Sequence, residues 1–285
     1  MERTFVLLSD CEHDVGMITF HPAWKKLNKV VIGMLHLPAL PGAPLNQLKL
    51  SKIRDLLLRD VEALDSGGVH GLMIENFGDV PFYPGRVPAK VVAQITAMAL
   101  EVKRASKLPL GINVLRNDGQ SALAVAHAAG ADYIRVNVLC GARVTDQGTI
   151  QGIAHDLLRE RVMLNAQHIR IFGDVDVKHS APLAPRPLKD EVDDLLERAL
   201  ADAVVVSGAG TGKPTDPAKV AEVKRYAGRV PVFIGSGASV ATIKELLPHA
   251  DGFIVGTSLK KGGSPANPVE LVRVKELMKR VEQGQ

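Results

Sequence analysis

Eight apolar runs, separated by segments of helical spacing, limit what this chain can fold into. Four share one form, a small or polar turn leading into a β-branched run: GVHGLMIEN (68–76), GADYIRVNV (130–138), LADAVVVSG (200–208) and HADGFIVGT (249–257). Four more fall between them: KVVIGMLH (29–36), LPLGINVL (108–115), IRIFGDVDVK (169–178) and RVPVFIGSG (229–237). Intervening segments such as KIRDLLLRDVEALDSG, AKVVAQITAMALEVKRAS, LKDEVDDLLERAL and DPAKVAEVKRYAG carry apolar residues at helical period, and the last follows the start signal Thr215-Asp216-Pro217. Eight alternations of strand and helix predict a (β/α)8 barrel, since a doubly wound sheet needs fewer strands and offers a Gly-rich first turn. No Ser/Gly linker or charge block divides the chain. The expected organisation is one barrel over 28–285 preceded by an extension of residues 1–27, with Phe20 to Leu27 closing the barrel bottom.

Composition narrows the function classes. Hydrophobic residues make up 46% and aromatic ones 4%, which favours aliphatic α/β packing over an aromatic binding surface. The net charge is +4, but the basic residues are scattered, with only short runs such as Lys25-Lys26 and Lys260-Lys261. That pattern suits an anionic small molecule and argues against nucleic acid. Cys11 and Cys140 form neither a zinc pattern nor a secreted disulfide framework, so a reducing cytoplasm is expected. No apolar run reaches the roughly 18 residues of a membrane span. The Phe5-Val6-Leu7-Leu8 run meets Asp10, Glu12 and Asp14, which no signal peptide would carry. Nothing in the pattern excludes a homo-oligomer.

Strand parity then selects site candidates. In a barrel, alternate strand residues face helices or lumen, and the helix-facing set must be apolar. For 169–178 that set is Ile171, Gly173, Val175 and Val177, so Phe172, Asp174, Asp176 and Lys178 are expected inside, the later ones toward the carboxyl-terminal mouth. The same rule sends Ile134, Val136 and Val138 outward and leaves Arg135 and Asn137 inside, with Asn113, Ser207, His36 and Glu75 beside them. Clustered charge against a low-dielectric wall shifts pKa values and marks candidate chemistry. The competing reading is an internal ion-pair lattice in which Arg135 and Lys178 neutralise Glu75, Asp174 and Asp176, and Asp174, the deepest, suits that role best. Asp174 and Asp176 are also the only candidates for a water-rich magnesium site, although no preformed ligand cluster is present and no cofactor is required.

Two glycine clusters follow the last two strands: GSGAS (235–239) and VGTSLKKGG (255–263). Barrels often bind phosphate in these loops at a helix N-terminus, which nominates Gly235, Gly237, Gly256 and Thr257, with Lys260 adding charge. The alternative is that tight strand-to-helix turns need glycine anyway. SGAGTGKPTD (207–216) fails as a nucleotide P-loop, because Ser207 stands where glycine is needed and Pro214 where Ser or Thr would bind magnesium. It reads as a loop from which Thr211, Gly212 and Lys213 reach a ligand. LPALPGAP (37–44) and FGDVPFYPGRVP (77–88), the latter tipped by Tyr83 and Arg86, read as lids. The segment 139–152 offers Arg143, Asp146 and Gln147 to a site or to turns. His179 is a base or a structural group, and Cys140 is inert.

Taken together, VIGMLHLPALPGAP, IENFGDVPF, IRVNVLCGARVTDQGTIQG, DVDVKHSAPL, SGAGTGKPTD and FIVGTSLKKGG resemble the BtpA/SgcQ family over roughly residues 28 to 281. The resemblance implies a ribulose-phosphate-binding type of barrel. One named member of that family is associated with accumulation of photosystem I reaction-centre proteins, and another lies among sugar-metabolism genes and carries a nucleosidase label. Neither defines catalytic residues. Two function classes follow. One is an enzyme acting on a phosphorylated sugar, nucleotide or nucleoside, by nucleosidase-like hydrolysis or by isomerase or lyase chemistry. In it Asp176 or Glu75 serves as acid, base or charge stabiliser, Arg135 and Lys178 hold anionic or hydroxyl groups, and Asn113 and Asn137 hydrogen-bond the sugar. Two carboxylates near Lys178 are expected to raise its pKa and oppose a Schiff-base role. The other class is a non-catalytic stability or assembly factor, which would show an exposed apolar patch or a membrane-seeking helix.

Overall fold

The computed structural model describes residues 21–208 and 215–284. Eight parallel strands close into a barrel: β1 (Val30–His36), β2 (Gly71–Glu75), β3 (Leu110–Asn113), β4 (Tyr133–Val136), β7 (Arg170–Val175), β9 (Ala203–Val206), β10 (Val232–Ile234) and β11 (Gly252–Val255). Helices α1 (Leu50–Ser66), α2 (Ala89–Ala105), α3 (Gly119–Ala129), α4 (Ala154–Met163), α5 (Leu188–Asp193), α6 (Pro217–Ala227), α7 (Ile243–Leu246) and α8 (Leu271–Gln283) cover the outside. The fold is the expected (β/α)8 barrel. The helices form where the apolar period allows: Ile53, Leu57, Val61 and Leu64 make the buried stripe of α1. Asp118 caps α3 through the Ser121 N–H, and Gly130 closes it in a left-handed conformation.

The repeated turn of the sequence has a structural purpose. In GAD, LAD and HAD the aspartate sits at the amino-terminal end of β4, β9 or β11 and reaches across to the preceding strand of the barrel. Asp132 accepts the Leu110 N–H at 2.8 Å, Asp202 the Ile171 N–H at 2.8 Å and Asp251 the Val232 N–H at 2.7 Å. In GVH the role passes to His70, whose Nδ1 accepts the Val31 N–H at 3.0 Å. The barrel is thus stapled as four strand pairs, each staple satisfying an N–H at the first or second residue of a strand.

Inside the lumen, Trp24, Tyr133, Phe172 and Phe233 fill the lower layers. Trp24, at the end of the Pro22–Trp24 turn, is fully buried and donates its indole N–H to His70 O at 2.7 Å, sealing the floor. Glycine makes room for these rings: a Cβ on Gly111 would stand 2.1 Å from the Tyr133 ring.

One feature at the mouth departs from the expected pattern. Residues 139–152 do not run straight into a helix; β5 (Ala142–Thr145) and β6 (Gly148–Gln151) form a hairpin, and β8 (Ser180–Pro182), after β7, pairs with β5 in a three-stranded antiparallel sheet. Val138, Ile150 and Val177 form a small separate core with it. The proline-rich segment 37–44 is not a free lid either. Leu37 and Leu40 are buried, and the Leu40 N–H donates to Asp79 Oδ1 at 2.8 Å, tying that segment to the loop after β2. Among the described residues, no helix is long and apolar enough to cross a membrane.

Candidate functional site

The polar top layer of the lumen is built by strand register. His36 lies beside Glu75, Glu75 beside Asn113 and Asn113 beside Arg135 across β1, β2, β3 and β4. A lattice does form, but it is smaller than the full set of charges. Arg135 donates from Nε and Nη2 to the two oxygens of Asp174, both at 2.8 Å, and Asn137 adds a third donor at 3.1 Å. Arg135 Nη2 also reaches Ser207 Oγ at 3.4 Å, and Asn113 Nδ2 donates to Arg135 O at 3.0 Å. Burial works against the guanidinium charge, but Asp174 outweighs it and holds Arg135 above its ordinary pKa. Asp174 is therefore a structural anchor of the wall.

Three side chains remain outside that lattice. The Glu75 carboxyl accepts no hydrogen bond among the described residues; its nearest ionisable partner is His36 Nε2 at 3.8 Å. Burial pushes its pKa up, against the opposing pull of Lys178 and Arg135. His36 stacks on Phe77 with ring centroids 4.6 Å apart, and burial, aided by Lys260 and Lys178, lowers its pKa to about 3, so it is neutral at ordinary pH. Lys178 makes no hydrogen bond through its ammonium and no ion pair within reach among the described residues. Burial first, then Arg135, lowers its pKa, and the attraction of Glu75 and Asp174 does not offset them. The expectation that two carboxylates raise the Lys178 pKa is corrected here: burial and Arg135 outweigh the attraction of Glu75 and Asp174, and the net direction is downward.

Asp176 does not point into the lumen. Strand β7 ends at Val175, and Asp176 takes a left-handed backbone at φ 47°, which breaks the alternation that put it inside. Its carboxylate meets Arg143 Nη2 at 2.5 Å and Lys219 Nζ, and its side chain is 41% exposed. Burial opposes its ionisation, but Lys219 and then Arg143 overcome this and hold its pKa down. Arg143, through Asp176, Ser180 and Glu191, locks the small mouth sheet to the rim. Each oxygen of Asp174 and Asp176 already faces a cationic group, so a magnesium ion would have to displace an ion pair at both. Among the described residues, no group of three or more His, Cys, Asp or Glu side chains converges.

Two adjoining hollows of about 350 and 490 Å³ open at the mouth and share Glu75, Phe77, Arg135 and Lys178 in their walls. The first is bounded by both glycine loops, including Gly235, Gly237, Gly256 and Thr257, and by Arg273 of α8. A Cβ on Gly235 would stand 2.9 Å from Arg135 Nη2, and one on Gly256 would stand 2.7 Å from the His36 ring, so both positions are kept bare by the layer beneath. Gly237 has φ +79°, which only glycine adopts freely. Ser258 Oγ donates to Ala238 O at 2.8 Å and ties the two loops together, while the Gly237 and Ala238 N–H groups donate to nothing among the described residues. The helix after the first loop, α7, is only four residues long and begins at Ile243, with its N-cap Thr242 in the wall of the hollow, and the second loop enters a single 3-10 turn over Thr257–Leu259 whose first residues also line it. Lys260 does not face it: its ammonium is buried against Asp60 at 3.1 Å. The cation present instead is Arg273, which the sequence reading missed, since nothing local in α8 marks it. The second hollow is walled by Phe77, Val80, Phe82 and Leu115, with Arg116 and Asp146 at its edge. Asn113, Ser207 and Asn137 stand behind the first hollow rather than lining it, and Asn137 borders the second. Arg86 pairs with Asp118 at 3.4 Å, Tyr83 is half exposed, and His179 is exposed at φ 56°. Thr211, Gly212 and Lys213 lie outside the described residues.

A closed (β/α)8 barrel with its polar residues gathered at the carboxyl-terminal mouth places this chain among the barrel proteins that carry their sites on βα loops. The BtpA family model matches residues 27–283, and the chain belongs to the BtpA family. It is 46% identical over 250 residues to an uncharacterized protein of Thermococcus kodakarensis, covering 88% of this chain and 94% of that one. The photosystem I biogenesis protein BtpA of Synechocystis is 41% identical over 254 residues, covering 89% and 88%. Among solved structures, the N-(5'-phosphoribosyl)anthranilate isomerase of Pyrococcus furiosus superposes with a TM-score of 0.55 at 13% identity, covering 90% of this chain and 99% of that one, a likeness of fold alone.

Proposed function

We propose that this protein is an enzyme acting on a phosphorylated sugar or nucleotide by acid–base chemistry of the isomerase or lyase kind. The observation that carries the reading is a pair of adjoining hollows that share Glu75, Phe77, Arg135 and Lys178 in their walls. Bare loop amides and Arg273 stand at one end, an apolar wall at the other, and between them are a carboxyl and an amine with no structural partner. The phosphate is assigned to the loops of Gly235, Gly237, Gly256 and Thr257 with Arg273, where the unspent Gly237 and Ala238 N–H groups and a guanidinium held by Glu270 through Nε alone suit an oxyanion, while the Gly235 N–H is already given to Val206 O at 2.7 Å. Glu75, with its pKa raised by burial, holds its proton more tightly than an exposed carboxyl does and can pass it on, as a general acid or base must. Phe77, Phe82 and Leu115 would take a flat or apolar portion of the ligand. Hydrolysis of a nucleoside by two opposed carboxylates is less well supported, because Asp176 is turned to Arg143 and Lys219. The second reading, a biogenesis factor, is favoured by the name of the Synechocystis relative and needs none of this cleft. We also assign the protein to the cytoplasm, where the Cys140 thiol, pushed up to about 11 by burial, would stay reduced and unreactive.

Thermal unfolding tests the enzyme reading. Inorganic phosphate and ribose 5-phosphate at millimolar concentration are expected to raise Tm, by about 2.7 kcal/mol of stability at a hundredfold excess over Kd. Ribose should not, and Arg273→Met should abolish the effect. Equal stabilisation by unphosphorylated sugars, or none by either phosphate compound, would refute the reading.

A further inference from the structure

We propose that Lys178 is the nucleophile of this cleft and forms a Schiff base with the carbonyl carbon of an open-chain sugar phosphate, with Glu75 as its proton donor and acceptor. The inference rests on the function proposed above and specifies its chemistry. Its basis is geometric. Lys178 borders both hollows, at the junction between the anion-binding loops and the apolar wall, so a ligand with its phosphate on those loops presents its middle carbons there. Every other cation of this layer is committed. Arg135 is bound to Asp174 at two points, Lys260 to Asp60, Arg143 and Lys219 to Asp176, and Arg116 Nη2 donates to the Lys178 carbonyl at 2.7 Å. Lys178 alone among these carries its charge with no hydrogen bond or ion pair among the described residues.

A half-buried ammonium without a partner is costly, and losing its proton removes the cost. The groups acting on it are Arg135 and Arg116, which repel its charge, and Glu75 and Asp174, which attract it, with burial the largest influence and the balance downward. Neutral His36, at the end of β1 across the barrel, adds no charge. A desolvated lysine beside another cation is the arrangement in which an amine becomes a nucleophile near neutral pH.

The step balances without any co-reactant. The neutral amine adds to the carbonyl carbon, forming the C–N bond while the C=O π pair moves to oxygen, and proton transfer from nitrogen to that oxygen gives a carbinolamine. The Glu75 carboxyl then protonates the hydroxyl, which leaves as water with the C–O bond pair as the nitrogen lone pair forms the iminium. Glu75, now a carboxylate, can remove a proton from the neighbouring carbon to give an enamine, and water reverses the sequence to release the product.

The test is reductive trapping of the full-length protein at pH 7 with dihydroxyacetone phosphate or ribose 5-phosphate and sodium borohydride, read by peptide mass mapping. The expected result is one adduct per chain on the peptide containing Lys178, favoured at least about tenfold over every other lysine and suppressed by inorganic phosphate. Lys178→Arg, which keeps the charge, should lose the adduct while retaining stabilisation by phosphate, and Glu75→Gln should slow its formation. Adducts spread over exposed lysines with Lys178 unmodified would overturn the inference. If phosphate still raises Tm in that case, the phosphate site stands and only the Schiff base falls. If phosphate has no effect either, both readings fail together.

Discussion

Glu75 and Asp174 are both buried carboxylates of the lumen, yet replacing each by its amide should have opposite consequences. Asp174→Asn removes the charge that Arg135 holds at two points, leaving a guanidinium buried with only the neutral oxygens of the introduced amide and of Ser207 to accept from it. The expected loss is about 3 kcal/mol or more in urea denaturation. Glu75→Gln removes a carboxyl that no donor satisfies, so stability at neutral pH should be unchanged or higher while turnover collapses. The pH dependence follows in sign. Burial raises the folded-state pKa of Glu75 above its ordinary 4.5, so the folded chain holds that proton more tightly than the unfolded one. The stability this contributes is fully present below the ordinary value and is lost as pH rises through the folded value. The glutamine variant has no such loss and should gain on the wild type across that window. A constant difference at all pH values would show that Glu75 is not desolvated as described.

At the scale of elements, the paired-strand staples make a separate prediction. Asp202 satisfies the Ile171 N–H and also faces Arg161 and Arg170. Asp202→Ala should therefore cost about 1–3 kcal/mol and accelerate amide exchange at Ile171, the start of β7, before it does so at β1 or β2. Uniform loss of protection would mean that the staples do not act pair by pair. These elements also show what was legible beforehand. Strand parity correctly brought Arg135, Asn113 and Ser207 into the lumen, because alternation is enforced wherever one face must be apolar. It failed at Asp176, since parity holds only as far as the strand, and DVDVK continues the β-branched pattern past the point where the backbone turns. The mouth hairpin left a readable signal, β-branched residues on either side of Asp146-Gln147-Gly148, which matches a tight turn between short strands. Arg273 left none: α8 is distant in sequence from the glycine loops, and only barrel closure brings it to them. The lowered pKa of Lys178 was equally invisible, because it depends on burial at the mouth and on Arg135 from another strand.

Over the whole molecule, the barrel divides its labour along its axis. The floor, sealed by Trp24 and filled by Tyr133, Phe172 and Phe233, is apolar and supplies stability. The layer above it is a satisfied polar lattice around Arg135 and Asp174. The uppermost layer, under the glycine loops, holds Glu75 and Lys178, which make no side-chain hydrogen bond among the described residues and border both hollows, with His36 stacked on Phe77 beside them. The central claim is that this cleft binds a phosphorylated ligand with its phosphate on the glycine loops and its carbon chain between Glu75 and Lys178. A crystal structure of the protein soaked in ribose 5-phosphate tests it most directly. The account predicts phosphate density against Gly237, Thr257 and Arg273, with sugar density reaching Lys178. Ligand bound only outside the cleft, or seated in the cleft with its phosphate directed to the Phe77 and Phe82 wall, would contradict it.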